Sequence, residues 1–392
     1  MKSYSYGKPE GRRIGCIGSY DLYSKTLSEH KEAPEGKPTA NNATEFNFIY
    51  GPSAGGLIES VQFDILTTGE SIKRISTDAS FKMRSVDVLG KPVDEVLLRV
   101  ERINGAFAAS HSIAFLSAVE DAMGIPIGQK TKMARIIELE LERIRNHLHV
   151  AAKICESAAF GVPSNALYYL REKTNRIIGK YSGHRFFYGI NSIDTVNADF
   201  SGVSKSLVSL CAEAEDIYNS LLESKIFIDR LQGNGVISGT DCVGPVARGA
   251  GLQYDARHDS CSLPYSDLGF SILTETGSKD AMGRLMIRFD EISQSLDLIR
   301  AAEKRLSEPS AKKHPAKGKA AQGLGRIESP SGDLAYYVEL DGSIVNKIAL
   351  LTPSSVNLPV FQESARGNVF TDFHFNWESF GIWVAEIAVD FV

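Results

Sequence analysis

Hydrophobic and polar positions follow two periods along this chain, and these periods predict a helical centre between two regions of strand. Apolar and small residues recur at helical spacing over 106–123, and Gly124 follows as a C-terminal stop. A second amphipathic run covers 133–155. The segment 161–163, which contains Pro163, is expected to end this helix. Further helices are predicted at 164–180, 204–224 and 283–303. The first helix is apolar on nearly all sides, so we expect it deep in a bundle.

Alternation with a period of two predicts strands towards both ends. Residues 45–50 and 57–66 alternate, and 71–76 follow a turn at Gly69, which together indicate a small antiparallel sheet. Near the C-terminus, 328–338 are predicted as one strand that enters a hairpin across Asp341-Gly342, a pair suited to a type I′ turn. The predicted fold class is therefore α+β: a bundle of long helices over 94–304, a small sheet over 45–76 and a mixed C-terminal part over 326–392.

The remaining segments carry no readable function. Residues 1–43 are a polar extension, of which 31–42 reads as a linker. Residues 308–325 are predicted as a loop, and its basic stretch 312–319 is rich in Pro, Gly and Ala, which favours a solvated loop over a binding site.

Composition limits the class of protein. With 392 residues, 43% of them hydrophobic and 23% charged, the chain can bury a large core. A net charge of -5 gives no reason to expect nucleic acid as a partner. The N-terminus lacks an apolar signal region and no apolar run is long enough to span a bilayer, so we expect a cytoplasmic protein unless a partner carries it elsewhere.

The cysteines and histidines do not predict a metal site. No CxxC pair or zinc-like spacing occurs, which indicates isolated thiols. His147 and His149 are two residues apart and should point to different sides of a helix. The five cysteines are Cys16, Cys155, Cys211, Cys242 and Cys261.

Two segments carry a family resemblance. Arg102-Ile-Asn-Gly-Ala-Phe-Ala-Ala-Ser-His111-Ser resembles the Arg-Ile-Cys-Gly-Ile-Cys-x-x-x-His-Ser element of nickel-iron hydrogenase large subunits. Glu138-Leu-Glu-Leu-Glu-Arg-Ile-Arg-Asn-His147-Leu resembles a helix that those proteins share with the D subunit of respiratory complex I. The resemblance covers about 45–392, and it implies one domain with a hydrogenase large-subunit-like fold over 44–392.

The positions that matter most for chemistry depart from the family pattern. The resemblance places the four nickel-ligand cysteines at Asn104, Phe107, Trp383 and Glu386, none of which supplies a thiolate. We therefore expect no nickel and no other metal. The quinone ligands of complex I are also missing, because Ala54 stands at the histidine position and Gly105 at the tyrosine position. If the resemblance is right, the four ligand positions should still converge on one interior spot.

The resemblance suggests four candidate coupling residues in this cavity: Glu59, Arg102, His111 and Glu386. Glu59 falls on a family glutamate that passes protons, although a solvated strand glutamate is the alternative. His111 has an equally simple alternative as a helix histidine bonded to a backbone carbonyl. Arg102 is expected to be an ion-pair partner rather than an electrophile.

A glycine-rich segment, 243–257, also matches a family loop. It supplies Arg248, Asp255 and Arg257, for which a structural ion-pair network is favoured over catalysis.

The function implied by the resemblance is that of a peripheral component in a membrane-bound energy-converting oxidoreductase. The expected partners resemble proteins of complex I: its iron-sulfur B subunit, its C subunit and membrane proteins that translocate ions, at the cytoplasmic face of the membrane. This chain is expected to bind no cofactor of its own, and the iron-sulfur cluster belongs to the partner. Quinone is a candidate ligand. The resemblance also associates NAD binding with such complexes. It is not expected to be active alone. The alternatives are an inert scaffold and, more weakly, a working nickel hydrogenase.

Overall fold

The structure is a computed structural model that describes residues 5–29, 45–259, 262–275, 277–307 and 321–392. The predicted linker at 31–42, the basic stretch at 312–319 and Cys261 lie outside the described residues.

Long helices form the centre of the fold, as the apolar periodicity predicts. Helix α2 (Ala108–Met123) is buried over nearly its whole length. The 29-residue helix α3 (Gln129–Ser157) packs against α4 (Gly161–Ser182) and α9 (Ala281–Lys304). Each of the five predicted helices is present with ends shifted by a few residues. The helices are α1 (Val93–Val100), α2 (Ala108–Met123), α3 (Gln129–Ser157), α4 (Gly161–Ser182), α5 (Val203–Leu222), α6 (Lys225–Leu231), α7 (Gly244–Gly249), α8 (Ala256–Asp259), α9 (Ala281–Lys304), α10 (Pro353–Ser364), α11 (Phe373–Phe380) and α12 (Val384–Ile387).

The strands form small sheets around this bundle, which confirms the α+β class. One sheet has the order β1-β4-β3-β2, one β12-β13-β14-β9 and one β5-β6-β7, while β10 pairs with β11 and β15 with β8. The strands are β1 (Ser5–Tyr6), β2 (Arg13–Ile17), β3 (Tyr20–Tyr23), β4 (Thr26–Glu29), β5 (Glu45–Tyr50), β6 (Gln62–Thr68), β7 (Ser71–Asp78), β8 (Arg84–Val86), β9 (Lys91–Pro92), β10 (Asn191–Ser192), β11 (Thr195–Val196), β12 (Ala321–Ser329), β13 (Gly332–Asp341), β14 (Ile344–Leu351) and β15 (Val389–Phe391).

The N-terminal region has more structure than its polar composition indicates. Strands β1–β4 bury Ile14, Ile17, Leu22 and Leu27 against the sheet that contains Tyr337. These strands are only two to five residues long, so they give little alternation for a sequence argument to detect.

Two predictions for the C-terminal strands are wrong. The predicted loop 308–325 ends earlier, because 321–325 belong to β12, and the single predicted strand 328–338 is two strands joined by a tight turn at Pro330 and Ser331. The next turn consists of Gly342 and Ser343, and of these two only Gly342 has a positive φ, 60°. A type I′ turn needs positive φ at both central residues, so that turn type is excluded.

Predicted strand 57–66 also begins later than expected. Strand β6 starts at Gln62, and 57–61 form an irregular segment between β5 and β6. This difference matters because Glu59 lies in that segment and is therefore not a strand residue.

A search of the described residues for helices of sufficient length and apolarity to cross a bilayer finds none.

Candidate functional site

The structure brings together the two segments that contain the four predicted ligand positions. One segment lies before α2 and the other lies around α12. The Asn104 amide nitrogen donates to Glu386 Oε1 at 3.0 Å. The rings of Phe107 and Trp383 pack edge to face, with centroids 5.8 Å apart. The four positions therefore converge in pairs, 104 with 386 and 107 with 383, although 282 residues separate Asn104 from Glu386 in sequence.

Glu386 is the centre of this cluster. Its side chain is fully buried, and Ser354 at the start of α10 donates to its Oε2 at 2.7 Å. The same serine oxygen accepts the backbone N–H of Trp383 at 3.1 Å. A buried carboxylate needs such donors because it has lost its water. Asn104 and Ser354 thus hold one oxygen each and fix the orientation of the Glu386 carboxylate.

His111 connects Glu386 to Tyr336. The His111 Nδ1 lies 2.7 Å from the Tyr336 hydroxyl, and its Nε2 lies 3.5 Å from Glu386 Oε1 with no hydrogen-bond partner among the described residues. Burial, together with the nearby Glu386, raises the pKa of Tyr336 well above its usual value, so the hydroxyl keeps its proton. If Tyr336 donates to Nδ1, the proton of a neutral His111 lies on Nε2 and faces Glu386. This arrangement can pass a proton between carboxylate and imidazole.

The contacts of His111 differ from the simplest expectation. A bond to a backbone carbonyl was one alternative for His111, and its Nδ1 instead has the Tyr336 hydroxyl as its partner.

Glu59 lies beside this cluster, at the backbone of α12. Its carboxylate accepts the backbone N–H of Ala385 at 3.1 Å, and Lys82 Nζ lies 3.6 Å from it. Burial raises the pKa of Glu59 against the lowering effect of these donors, and Glu386 adds to the rise. The side chain is 10% exposed, so the alternative of a solvated strand glutamate is wrong.

Arg102 does not belong to the site. Its side chain is 54% exposed, it is ion-paired with Glu101, and its guanidinium lies 4.9 Å from the ring centre of Tyr188. The prediction that it pairs with a carboxylate holds, but its predicted place in the cavity is wrong. Arg102 lies in the irregular turn between α1 and α2, and it points to the surface although its neighbours Glu101 and Ile103 are buried.

A cleft next to Glu59 is too small for a cofactor. It is lined by Glu59, His149, Lys153, Glu378 and Trp383 and has a volume of about 30 Å³. That volume holds one or two waters, whereas pockets for organic ligands have roughly 300–1,000 Å³. His149 stacks on Trp383 with centroids 5.5 Å apart, and burial lowers the pKa of His149 to about 3, so its ring is neutral.

The residues present do not fit a nickel-iron centre. An amide, a phenyl ring, an indole and a carboxylate occupy the four ligand positions, and none is a soft sulfur donor. The described residues contain no group of three or more His, Cys, Asp or Glu arranged to hold a metal ion. Gly105 stands where the resemblance places the tyrosine that binds quinone. A Cβ atom at Gly105 would overlap the Tyr188 hydroxyl, so Tyr188 occupies this space.

The predicted ion-pair network is present elsewhere in the core. Arg248 contacts Asp255 at 2.8 Å and Glu328 at 2.7 Å, and Arg257 contacts Asp255 at 2.7 Å. All these side chains are fully or almost fully buried. Glu291 on α9 joins Arg248 to His147, whose Nε2 lies 2.7 Å from it. This geometry is that of a structural network, as the sequence predicts.

Tyr336, Ser354 and His149 are site residues that sequence reasoning did not select. Tyr336 lies in the segment 328–338, which the sequence predicts as a strand without indicating a role in the site. The roles of Ser354 and His149 depend on their contacts with Trp383 and Glu386, which come from a distant part of the chain.

Replacement of Ser354 by alanine tests how strongly Glu386 is held. We expect Ser354→Ala to lower the free energy of unfolding by about 2 kcal/mol, because it leaves a buried carboxylate oxygen and the Trp383 N–H without a partner. Urea unfolding of the two proteins measures the difference. The adjacent Ser355 is exposed, so Ser355→Ala is the control and should change stability by less than about 1 kcal/mol. Equal effects would contradict the assigned role of Ser354.

One protein family and several known proteins are similar to this chain. The family described as "Respiratory-chain NADH dehydrogenase, 49 Kd subunit" matches residues 161–322. The alpha subunit of the membrane-bound hydrogenase of Pyrococcus furiosus is 27% identical over 354 residues, which cover 82% of each chain. The D subunit of the NADH-quinone oxidoreductase of Geobacter sulfurreducens is 26% identical, over 82% of this chain and 92% of its own.

A solved structure shows the same fold. A chain of the membrane-bound sulfane sulfur reductase, an archaeal respiratory membrane complex, superimposes with a TM-score of 0.80. The match covers 89% of this chain and the whole of the other chain at 20% sequence identity, so the two chains share a fold.

Proposed function

We propose that this chain belongs to the family that includes hydrogenase large subunits and the D subunit of complex I, and that it is a peripheral component of a membrane-bound oxidoreductase complex. In this proposal it lies at the cytoplasmic face of the membrane, between an iron-sulfur protein that delivers electrons and membrane proteins that translocate ions. A protein like the C subunit of complex I completes the peripheral arm. The chain itself works without nickel. NAD binding and ion translocation belong to the assembled complex.

The observation that carries the proposal is the buried Asn104–Glu386–His111–Tyr336 cluster. Glu386, at one of the four positions where the resemblance places nickel-ligand cysteines, is a carboxylate held by two donors, and the His111 imidazole lies 3.5 Å from it. Glu59 adds a second largely buried carboxylate, with a raised pKa, at the backbone of α12. These groups can take up and release protons when electrons arrive in a neighbouring protein, which is the part of the coupling that we assign to this chain.

Turnover of the intact complex tests this role. We expect Glu386→Gln to lower electron transfer coupled to proton uptake by about 10²-fold, the lower end of a general acid–base contribution. Glu59→Gln should have a smaller effect in the same direction. Glu363, which is exposed and paired with Arg366, provides the matched control Glu363→Gln, with unchanged turnover. The assay is made on complex purified through this chain, with quinone and ferredoxin tested as electron partners.

A scaffold is the second candidate function, and the small cleft favours it. A cavity of about 30 Å³ beside Glu59 leaves no room for a quinone headgroup unless the surrounding loops move apart. If the complex assembles normally and both glutamine variants retain full turnover, this chain has an architectural role. If quinone does bind here, added quinone should change the fluorescence of Trp383 or protect the 57–61 segment.

Metal analysis gives an independent prediction. The purified complex should contain iron in proportion to its iron-sulfur protein and less than about 0.1 nickel per copy of this chain, because soft thiolates are required at the ligand positions. Inductively coupled plasma mass spectrometry measures both metals. Stoichiometric nickel would overturn the assignment.

A further inference from the structure

Helix α3 carries three buried glutamates at alternate positions, and their carboxylates differ in the donors that surround them. Glu138, Glu140 and Glu142 are all 0% exposed. A buried carboxylate stays ionised only if cations or several hydrogen-bond donors replace its lost water. The number and charge of the donors around each therefore decide its protonation.

Glu140 is surrounded by donors. It accepts from Ser295 Oγ at 2.6 Å, Tyr265 OH at 2.8 Å and Arg143 Nε at 3.0 Å. Burial alone would raise the pKa of Glu140, but Arg143 and Arg257 outweigh it and lower the pKa below its usual value. Glu140 is an ionised member of the structural network.

Glu142 has an intermediate set of partners. It accepts the backbone N–H groups of Ala109 at 2.8 Å and Ser110 at 3.0 Å, in the first turn of α2, and the Ser110 hydroxyl at 2.7 Å. Arg145 Nη2 lies 3.6 Å away. Burial still raises the pKa of Glu142, although these donors oppose it.

Glu138 has one neutral donor. The Asn191 amide donates to its Oε2 at 2.7 Å, and Oε1 has no hydrogen-bond partner among the described residues. The nearest cation, Arg135, makes two 2.7 Å bonds to Glu120 on α2 and is committed there. The amide oxygen of Asn191 is likewise unpaired within the described structure. The pocket between α2, α3 and β10 thus contains two buried acceptors that lack a donor.

We propose that Glu138 is a proton-binding site, which holds a proton as a neutral carboxylic acid between α2 and α3. A proton on Glu138 removes a buried negative charge that no cation balances, and it adds a donor to a pocket with a surplus of acceptors. The pocket is joined to α2, because the Asn191 amide nitrogen also lies 3.3 Å from the hydroxyl of Ser112, which is next to His111 in the sequence. Glu138 can therefore store a proton at the contact between α3 and α2, the helix that carries His111.

The charged groups around Glu138 support this assignment. On α3, Arg135 favours ionisation and Glu142 opposes it, and Glu120 on α2 neutralises Arg135. From the β10–β11 hairpin, Asp194 bonds the N–H of Gly128 at 2.6 Å. Burial is the largest effect and raises the pKa of Glu138 to about 8. Protons can thus bind and leave within a pH range close to neutral.

Infrared spectroscopy of the full chain, in its complex, tests the proposal. At pH 7, we expect the wild type to show one carboxylic acid C=O band that Glu138→Gln lacks. In the wild type, this band should disappear as the pH rises through about 8. Glu140→Gln is the matched control on the same helix, and it should remove a carboxylate band instead.

Each other result contradicts the proposal. An unchanged carboxylic acid band in folded Glu138→Gln, or the loss of a carboxylate band, would mean that Glu138 is ionised at pH 7. Failure of this variant to fold would also contradict it, because glutamine matches the neutral acid in size and charge. The spectrum needs no turnover, so its outcome is independent of the proposed function.

Discussion

Replacement of Arg248 by methionine is expected to destabilise the chain by about 3–5 kcal/mol, enough to lower its thermal midpoint strongly or to prevent folding. The Arg248 guanidinium, on α7, contacts Asp255, Glu291 and Glu328, which belong to three other segments of the core. All four side chains are 0% exposed, so no water can replace the lost cation. The three carboxylates would then repel one another in a medium of low dielectric constant.

An exposed arginine provides the control for this prediction. Arg13 pairs with Asp21 at 2.8 Å, but its side chain is 50% exposed. Arg13→Met should cost less than about 1 kcal/mol, because solvent screens the pair and can replace it. Thermal or denaturant unfolding of both variants measures the contrast. If Arg248→Met unfolds at the same denaturant concentration as Arg13→Met, the buried network does not stabilise the fold as argued.

The helical core could be predicted from the sequence because its periodicity is local. Helices α2, α3 and α9 show long apolar stripes, and a residue three or four positions away is enough to define a face. The N-terminal sheet could not be predicted, because its strands are short and their apolar residues pack against a hairpin more than 300 residues away. Local patterns contain no information about such contacts.

Some residues of the candidate site could also be predicted from the sequence, and others could not. The resemblance correctly indicated that Asn104 and Glu386 would meet, since both positions are defined by motifs. It placed Arg102 in the site as well, yet the direction of a side chain at the irregular turn between α1 and α2 depends on backbone angles that no motif specifies. Ser354 and Tyr336 contact the cluster from separate segments, so only the folded chain identifies them as partners of Glu386 and His111.

The close packing of α2 on β12 gives the second large stability effect. Gly323 and Gly325 alternate on the face of β12 that lies against α2. A Cβ atom at Gly325 would overlap the backbone oxygen of Ala114 and the backbone nitrogen of Ala118. Backbone atoms of a buried helix cannot move aside as the end of a side chain can. We therefore expect Gly325→Ala to force α2 away from the sheet and to cost about 3 kcal/mol, the upper end for overpacking.

A displacement of α2 would also disturb the site, because His111 lies on this helix and its contacts to Tyr336 and Glu386 depend on where the helix lies. The matched control is Gly161→Ala, at the first residue of α4, where an added Cβ meets no atom within 4 Å. That change should leave the stability nearly unchanged or raise it slightly, since alanine favours helix. Denaturant unfolding gives both free energies. If Gly325→Ala proves as mild as Gly161→Ala, the contact between α2 and β12 is looser than the structure shows, and the fixed geometry inferred for His111 fails with it.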